Sequence, residues 1–429
     1  MPRKPYIDDK LAKSGAEIGD TIAIIQNSDK HEGILMPHHE FSADGIVTIK
    51  LKSGYNIGIA VDRKTTIRVV KKQKKTKTKI QETPFDPKKP TVSILGTGGT
   101  IACYVDYRTG AVHPATSAQE LAFSVPEIFT ICNIKARVAF QLYSENIEVH
   151  HWQALAKEVA QELSSGASGV VIPHGTDTLG YTAAALSFML QGLSGPVVLV
   201  GAQRSSDRPS SDAALNLLSA AQVATHSDIG EVVVVMHGES SDTFSTIHRG
   251  TKVRKFHTSR RDAFKTINDI PLGKVENGTI TLQGKYREKT SGTVTVDSTM
   301  DDDVAMVYTY PQLRAADIPE RKGIVLIGTG LGHVPEKLFP TIKQRIQSGT
   351  IVVMTSQCLF GRVNMHVYSA GRDLIKLGVI SGEDMLPETA YVKLMWALAH
   401  GKTRKQVEQL MLTNIAGEIS ERTRSDVFL

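Results

Sequence analysis

The sequence predicts an α/β protein of two lobes with mainly parallel sheets, preceded by a small N-terminal SH3-like β-barrel. Three observations carry that expectation. From Thr91 onward, apolar strand-like runs alternate with helical periodicity, which is the pattern of βα units. Before residue 70, five short β-segments follow one another between turn signals, as in a small barrel. Between these regions lies a lysine- and proline-rich stretch with no apolar period, the composition of a linker. At 429 residues and 41% apolar content, the chain has material for two or three packed domains.

The barrel strands are expected at 21–25, 33–36, 46–50, 56–60 and 66–70, separated by Asn27-Ser28-Asp29, Ala43-Asp44-Gly45 and Ser53-Gly54. His31, His38, His39 and Glu40 fall in its loops, but their adjacency is poor geometry around one ion, so they read as solvated loop residues. Lys71, Lys72, Lys74, Lys75, Lys77 and Lys79 then crowd ten residues that contain no acid. The expected division is 1–70 barrel, 71–90 linker, 91–285 first α/β lobe with the active site, 286–303 inter-lobe connection and 304–429 second lobe.

In the first lobe the strand at 91–95 stops at Gly96-Thr97-Gly98-Gly99-Thr100. Glycines so closely spaced mark backbone that takes positive φ or lies against a ligand, and the threonines present hydroxyls. A second strand, 169–173, runs into His174-Gly175-Thr176-Asp177-Thr178. Two parallel strands of one sheet bring such loops together at its carboxyl edge, where open α/β sheets place their sites. Further strands are expected at 197–201, 232–236, 324–327 and 351–355, and helices at 151–163, 178–190, 212–224 and 336–346. Thr403 and Gln406 form a capping box for a helix over 404–412. Residues 285–303 are polar and aperiodic and read as the crossing between lobes. Gly328-Thr329-Gly330-Leu331-Gly332 follows a strand but is one residue short of the dinucleotide fingerprint, and no P-loop pattern occurs.

The net charge is +6, and taking the six clustered lysines from the 50 basic residues leaves 44 against 44 acidic ones. Basic character therefore belongs to one segment, which reads as a solvated linker rather than a broad nucleic-acid face. Three cysteines without paired spacing suit a reduced compartment. No apolar run approaches the roughly 20 residues of a membrane span, so the expectation is a soluble, cytoplasmic protein with no membrane contact.

Hydroxyl nucleophiles beside an acid suggest acyl transfer or amide hydrolysis. Taken as a pair, the two loops resemble the signature segments of the asparaginase/glutaminase family, and the resemblance runs through residues 91–429. It implies an asparaginase-like fold in both lobes and assigns roles by position. Thr100 matches the nucleophile and Thr176 the threonine that works with a lysine; Asp177 matches the acid that holds the substrate α-amino group. The resemblance places the lysine at Lys252, in His248-Arg249-Gly250-Thr251-Lys252. Ser144 and Glu145 match the pair at the α-carboxylate and α-amino groups, where many members carry glutamine in place of Glu145. Gly99 and Gly175 belong to the same substrate-binding loops.

Gly201 to Ala213, Gly361-Arg362-Val363-Asn364 and Gly382-Glu383-Asp384-Met385-Leu386-Pro387-Glu388, together with the barrel and linker, resemble the archaeal glutamyl-tRNA(Gln) amidotransferase D-subunit family. That resemblance implies a carbon–nitrogen ligase system in protein biosynthesis, with glutamine or asparagine hydrolysed here for its ammonia. It also implies a partner E subunit carrying ATP and Mg, Glu-tRNA(Gln) reached through the complex, no cofactor or metal on this chain, and a homodimer within a heterotetramer. The rival readings are a stand-alone asparaginase, an RNA-tethering adaptor with an inactive amidase lobe, and a nucleotide-dependent oxidoreductase built on the Gly-rich loops.

Overall fold

The structure is a computed structural model that describes residues 5–26, 29–36, 45–51, 56–72, 84–98, 103–105, 112–114, 125–204 and 211–427. Gly99 and Thr100, His38 to Glu40 and the lysines from Lys74 to Lys79 lie outside the described residues.

The N-terminal unit is a five-stranded antiparallel sheet in the order Asn56–Ala60, Ile46–Lys50, Asp29–Leu35, Thr21–Gln26, Thr66–Lys71. Alternate residues Ile22, Ile24, Val47 and Ile49 point to one face and are wholly buried there with Leu35 and Ile67. A helix not foreseen from the sequence, Pro5–Ser14, covers that face through Ile7 and Leu11, which are four residues apart and so share one helical side. His31 lies within a strand opposite Ile24, not in a loop. Lys72 pairs at 3.0 Å with the buried carboxylate of Asp20.

The first lobe is built on an eight-stranded sheet. Asn133–Leu142, Thr91–Gly98, Gly169–Pro173, Val197–Val200 and Val232–His237 are neighbours in that order and parallel. Phe244–Arg249, Gly273–Glu276 and Thr279–Leu282 extend it antiparallel. Both faces are covered, which is why the central strands are continuous Val/Ile/Leu runs. Val170 and Ile172 face a core with helices Val149–Ser164 and Leu179–Met189, whereas Val171 faces the opposite core under helix Ala213–His226.

The second lobe carries a four-stranded, all-parallel sheet in the order Val304–Tyr308, Gly323–Gly328, Ile351–Ser356, Ile380–Ser381. Its helix Pro387–His400 joins the first-lobe core through Ala390, Leu394 and Ala397, so one apolar core runs through both lobes. Burying Leu394 contributes about 1.5–3 kcal/mol. The polar 285–303 stretch lies along the first lobe: Glu288 bridges Ile229, and Thr295–Val296 pairs with Leu190–Gln191. The Gly328 to Gly332 loop is a tight turn closed by the Thr329 and His333 backbones, and a Cβ on Gly328 would lie 2.6 Å from Met354 Sδ. Gly328 and Gly332 thus serve close packing, whereas Gly330 has open space around it and takes a positive φ of 50°. Arg404–Leu412 opens with the foreseen capping box, Gln406 N–H donating to Thr403 Oγ1 at 3.3 Å and Thr403 N–H to Gln406 Oε1 at 3.1 Å.

Candidate active site

Strand order brings the loops together. The strand Thr91–Gly98 lies between Asn133–Leu142 and Gly169–Pro173, so the chain leaves all three at one sheet edge. Thr97 is buried and donates its hydroxyl to the Pro173 carbonyl at 2.8 Å, so it ties the two strand ends and is not a presented hydroxyl. Gly98, at φ +102°, passes so close to Leu142 that a Cβ would strike its carbonyl. From Leu142 the chain turns through Tyr143 into the short 3₁₀ turn Ser144–Asn146. Buried Ser144 packs on the second loop: a Cβ on Gly175 would lie 2.7 Å from the Ser144 Cβ, and Thr178 donates to the Ser144 carbonyl at 2.7 Å. Glu145 is exposed on the same turn.

Beneath the second loop, a buried relay sets its shape. The His174 Nδ1 lies 2.7 Å from the Gly175 carbonyl, which can only accept, so Nδ1 carries the proton. Nε2 then accepts from the Thr182 hydroxyl at 2.8 Å, and Thr182 accepts the Trp152 indole N–H at 2.9 Å. Burial pushes His174 down to about 4, which keeps it neutral in this role. On the other flank, Gly201 lies so close that a Cβ would be 2.7 Å from the Thr176 methyl. Its carbonyl accepts from Asn216, while Asp212 accepts the Gln203 and Arg204 N–H groups.

The lysine expectation needs correction. Lys252 is wholly buried, and its Nζ binds Asp384 Oδ2 at 2.7 Å and Ser420 Oγ at 3.2 Å. The lysine that reaches the second loop is Lys255, whose Nζ donates to Thr176 Oγ1 at 2.8 Å and to Asp177 Oδ1 at 2.9 Å. Four cations lie between Arg249 and Lys255, and each has its own acid: Arg249 pairs with Glu231 and Asp269, Lys252 with Asp384, Arg254 with Glu388 and Lys255 with Asp177. The acid, not the spacing, tells them apart. Only Lys255 has its acid in the loop. Burial lowers Lys252 and Asp384 opposes that shift.

Ser144, Gly175, Thr176, Asp177 and Lys255 therefore form one cluster at the sheet edge, with Thr176 buried, Asp177 mostly exposed and Lys255 between them. A hydroxyl held by an ammonium that is itself held by a carboxylate is a chain along which a proton can move. Thr100, which the family resemblance gives as the nucleophile, comes two residues after Gly98 in the sequence and lies outside the described residues. Among the described residues no group of three or more His, Cys, Asp or Glu side chains is placed to hold a metal ion, and no helix is long and apolar enough to cross a membrane.

Comparison with known proteins gives three family matches: the N-terminal asparaginase domain over residues 91–288, the glutaminase/asparaginase C-terminal domain over 303–411, and the GatD N-terminal domain over 16–70. The chain is 53% identical to the D subunit of the glutamyl-tRNA(Gln) amidotransferase of Pyrococcus furiosus, with 99% of each chain covered. It is 51% identical to that of Thermococcus kodakarensis, with all of both covered, and 46% identical to that of Sulfolobus acidocaldarius, covering 96% of this chain and 93% of that protein. Among solved structures it resembles the thermostable L-asparaginase from Thermococcus kodakarensis, with TM-score 0.70 and 32% identity over 77% of this chain and all of that one. The L-asparaginase I from Vibrio cholerae is similar at TM-score 0.68 and 30% identity, covering 77% of this chain and 99% of that one.

Proposed function

We propose that this chain, which belongs to the family of glutamyl-tRNA(Gln) amidotransferase D subunits, hydrolyses free glutamine or asparagine and supplies the ammonia with which Glu-tRNA(Gln) is converted to Gln-tRNA(Gln). The observation that carries this reading is the Lys255–Thr176 contact, closed by Asp177, at the sheet edge where the strand Thr91–Gly98 ends.

In this reading the Thr100 hydroxyl attacks the side-chain amide carbon, the C–N bond breaks, and ammonia leaves an acyl ester on Thr100. Water then cleaves the ester. The Thr176–Lys255 pair carries one proton from the Thr100 hydroxyl to the leaving nitrogen in the first half, and one from water back to the Thr100 oxygen in the second. To take that proton Lys255 acts as the neutral amine: Thr176 passes its own hydrogen to Lys255 Nζ across the 2.8 Å contact while accepting the hydrogen of Thr100, and the ammonium so formed returns it through Thr176 to the leaving nitrogen. Ser144 and Gly175 shape the seat of the substrate's charged end, and Glu145 and Asp177 supply carboxylates for its α-ammonium.

Amidation of a tRNA-bound glutamate needs an activated γ-carboxylate, hence ATP. The chain has no P-loop, and its charges balance outside the lysine run, so ATP, Mg and the principal grip on tRNA fall to a partner E subunit. The proposed assembly is a homodimer of this chain within a heterotetramer in the cytoplasm, with the barrel ending at 70, a linker to 90, and lobes at 91–285 and 304–429 joined by 286–303. The test is ammonia release from glutamine and asparagine, with and without the E subunit and Glu-tRNA(Gln). Release that depends on an intact Thr100 and couples to Gln-tRNA(Gln) formation supports the reading. Amide hydrolysis that the complex never uses leaves a stand-alone asparaginase.

A further inference from the structure

The contact between Lys255 and Thr176 depends on where a small hairpin sits. Lys255 ends the strand Val253–Lys255, which pairs with Phe264–Thr266 over only three residue pairs and belongs to neither main sheet. A two-stranded hairpin of that size is marginal on its own. The first lobe holds its base, with His248 Nδ1 2.7 Å from the Thr266 hydroxyl and Val253 and Phe264 buried in the common core, and further holds come from the second lobe. The Thr389 hydroxyl donates to the Thr251 carbonyl at 2.9 Å, Asp384 grips Lys252 at 2.7 Å, and Glu388 meets Arg254 at 3.3 Å. Past the return strand, Asn268 holds a positive φ of 58° and donates its amide to the carbonyls of Asp384 at 2.9 Å and Gly361 at 3.1 Å. Its carbonyl oxygen accepts the Gly361 N–H at 2.8 Å. Asp384 is in turn fixed by the Ser420 N–H at 2.9 Å.

We infer that Asp384, Glu388 and Thr389 are positioning residues for the amide hydrolysis: they hold the Lys255 hairpin at the distance from Thr176 that proton transfer requires. The inference rests on the proposed role of Lys255. Helix Pro387–His400, which Glu388 and Thr389 open, also packs on Leu179–Met189, the helix that follows the Thr176–Asp177 loop, with Tyr181 and Tyr391 edge to face at 6.3 Å. Both partners of the Lys255–Thr176 contact are thus mounted on one second-lobe helix. A shift of that helix against the first lobe changes the contact directly, and a misplacement of about 1 Å can lower turnover about 100-fold. The burial of Lys252 supports the same view, because a wholly buried ammonium tolerates little movement from its carboxylate. The 382–388 segment, which the sequence set apart without a chemical role, acquires one here.

The test uses the full chain and reads kcat, KM and thermal midpoint together for ammonia release. Thr389→Val and Glu388→Gln each remove one hold on the hairpin without touching substrate. Each should lower kcat roughly 10- to 100-fold with KM within about two-fold. The exchange Arg254→Glu with Glu388→Arg should restore most of the loss seen in Glu388→Gln. Gln153→Ala serves as the comparison, since it removes a contact with the Ser298 carbonyl away from the hairpin and should leave kcat unchanged whatever it does to the midpoint. Wild-type kcat in both Thr389→Val and Glu388→Gln, or an exchange that recovers nothing, overturns the inference. If Lys255→Met is inactive while those variants turn over normally, the inference alone fails. If Lys255→Met itself is fully active, the reading of the site fails and takes the inference with it.

Discussion

Two lysines three residues apart offer a contrast that separates chemistry from stability. Lys255→Met removes the donor to Thr176 and Asp177. Asp177 is 70% exposed, so that ion pair contributes only about 0–1 kcal/mol to folding. The same substitution removes a positioned acid–base group worth roughly 10²- to 10⁴-fold in rate, or about 3–5 kcal/mol of barrier. Lys252→Met does the reverse. It takes from the buried carboxylate of Asp384 its nearest cation, leaving only Arg362 at 3.9 Å, at a cost of up to about 3–5 kcal/mol in stability. Ammonia release measured beside urea and thermal midpoints should show Lys255→Met folded and nearly inactive. Lys252→Met should be clearly destabilised and, where still folded, lose less turnover than Lys255→Met. Turnover of Lys255→Met within ten-fold of wild type, or a folded Lys252→Met that is the less active of the two, would refute the assignment.

Other outcomes follow from the same geometry. Thr100→Ala should abolish ammonia release without moving the thermal midpoint by more than a few degrees, and normal release would remove Thr100 from the mechanism. Gly175→Ala puts a methyl 2.7 Å from the Ser144 Cβ and should raise KM for the amide, which substrate titration checks directly. Amides without an α-amino group should turn over poorly if Glu145 and Asp177 meet an ammonium; equal rates for glutamine and its α-deaminated analogue would rule that out. Burial holds His174 at about 4 and His248 at about 3, against 6.5 in the unfolded chain. As pH falls through 6.5 the unfolded imidazoles bind protons that the folded ones refuse, so stability declines towards pH 4, where the share due to His174 levels off. For His174 alone the loss between pH 7 and pH 5 is about 2 kcal/mol. Urea midpoints that stay flat over that range would contradict the sign.

Strands buried on both faces were the legible part of the fold, because burial demands an unbroken apolar run: 169–173 and its neighbours at 197 and 232 stand where the sequence put them. Phe244–Arg249, Gly273–Glu276 and Thr279–Leu282 were not legible, since each mixes polar and apolar residues in a run of at most six. The N-terminal helix was missed because it rests on little more than Ile7 and Leu11. In the site, the two loops carry distinctive local motifs, and Ser144, Gly175, Thr176 and Asp177 do meet. The lysine could not be read the same way. Lys252 and Lys255 share one short basic segment, and what distinguishes them is Asp384, 132 residues further on, against Asp177, 78 residues back. Partners that distant leave no trace in local spacing.

In the proposed mechanism, ammonia for Gln-tRNA(Gln) originates at Thr100 of this chain. The most direct test supplies amide-¹⁵N glutamine, ATP, Glu-tRNA(Gln) and the E subunit, with the wild-type chain or Thr100→Ala, and follows the label into the tRNA-bound glutamine. The wild-type complex should transfer ¹⁵N. The Thr100→Ala complex should transfer none and should form product only when ammonium is supplied from solution. Label transfer by Thr100→Ala, or product formed from glutamine by this chain without the E subunit, would contradict the claim.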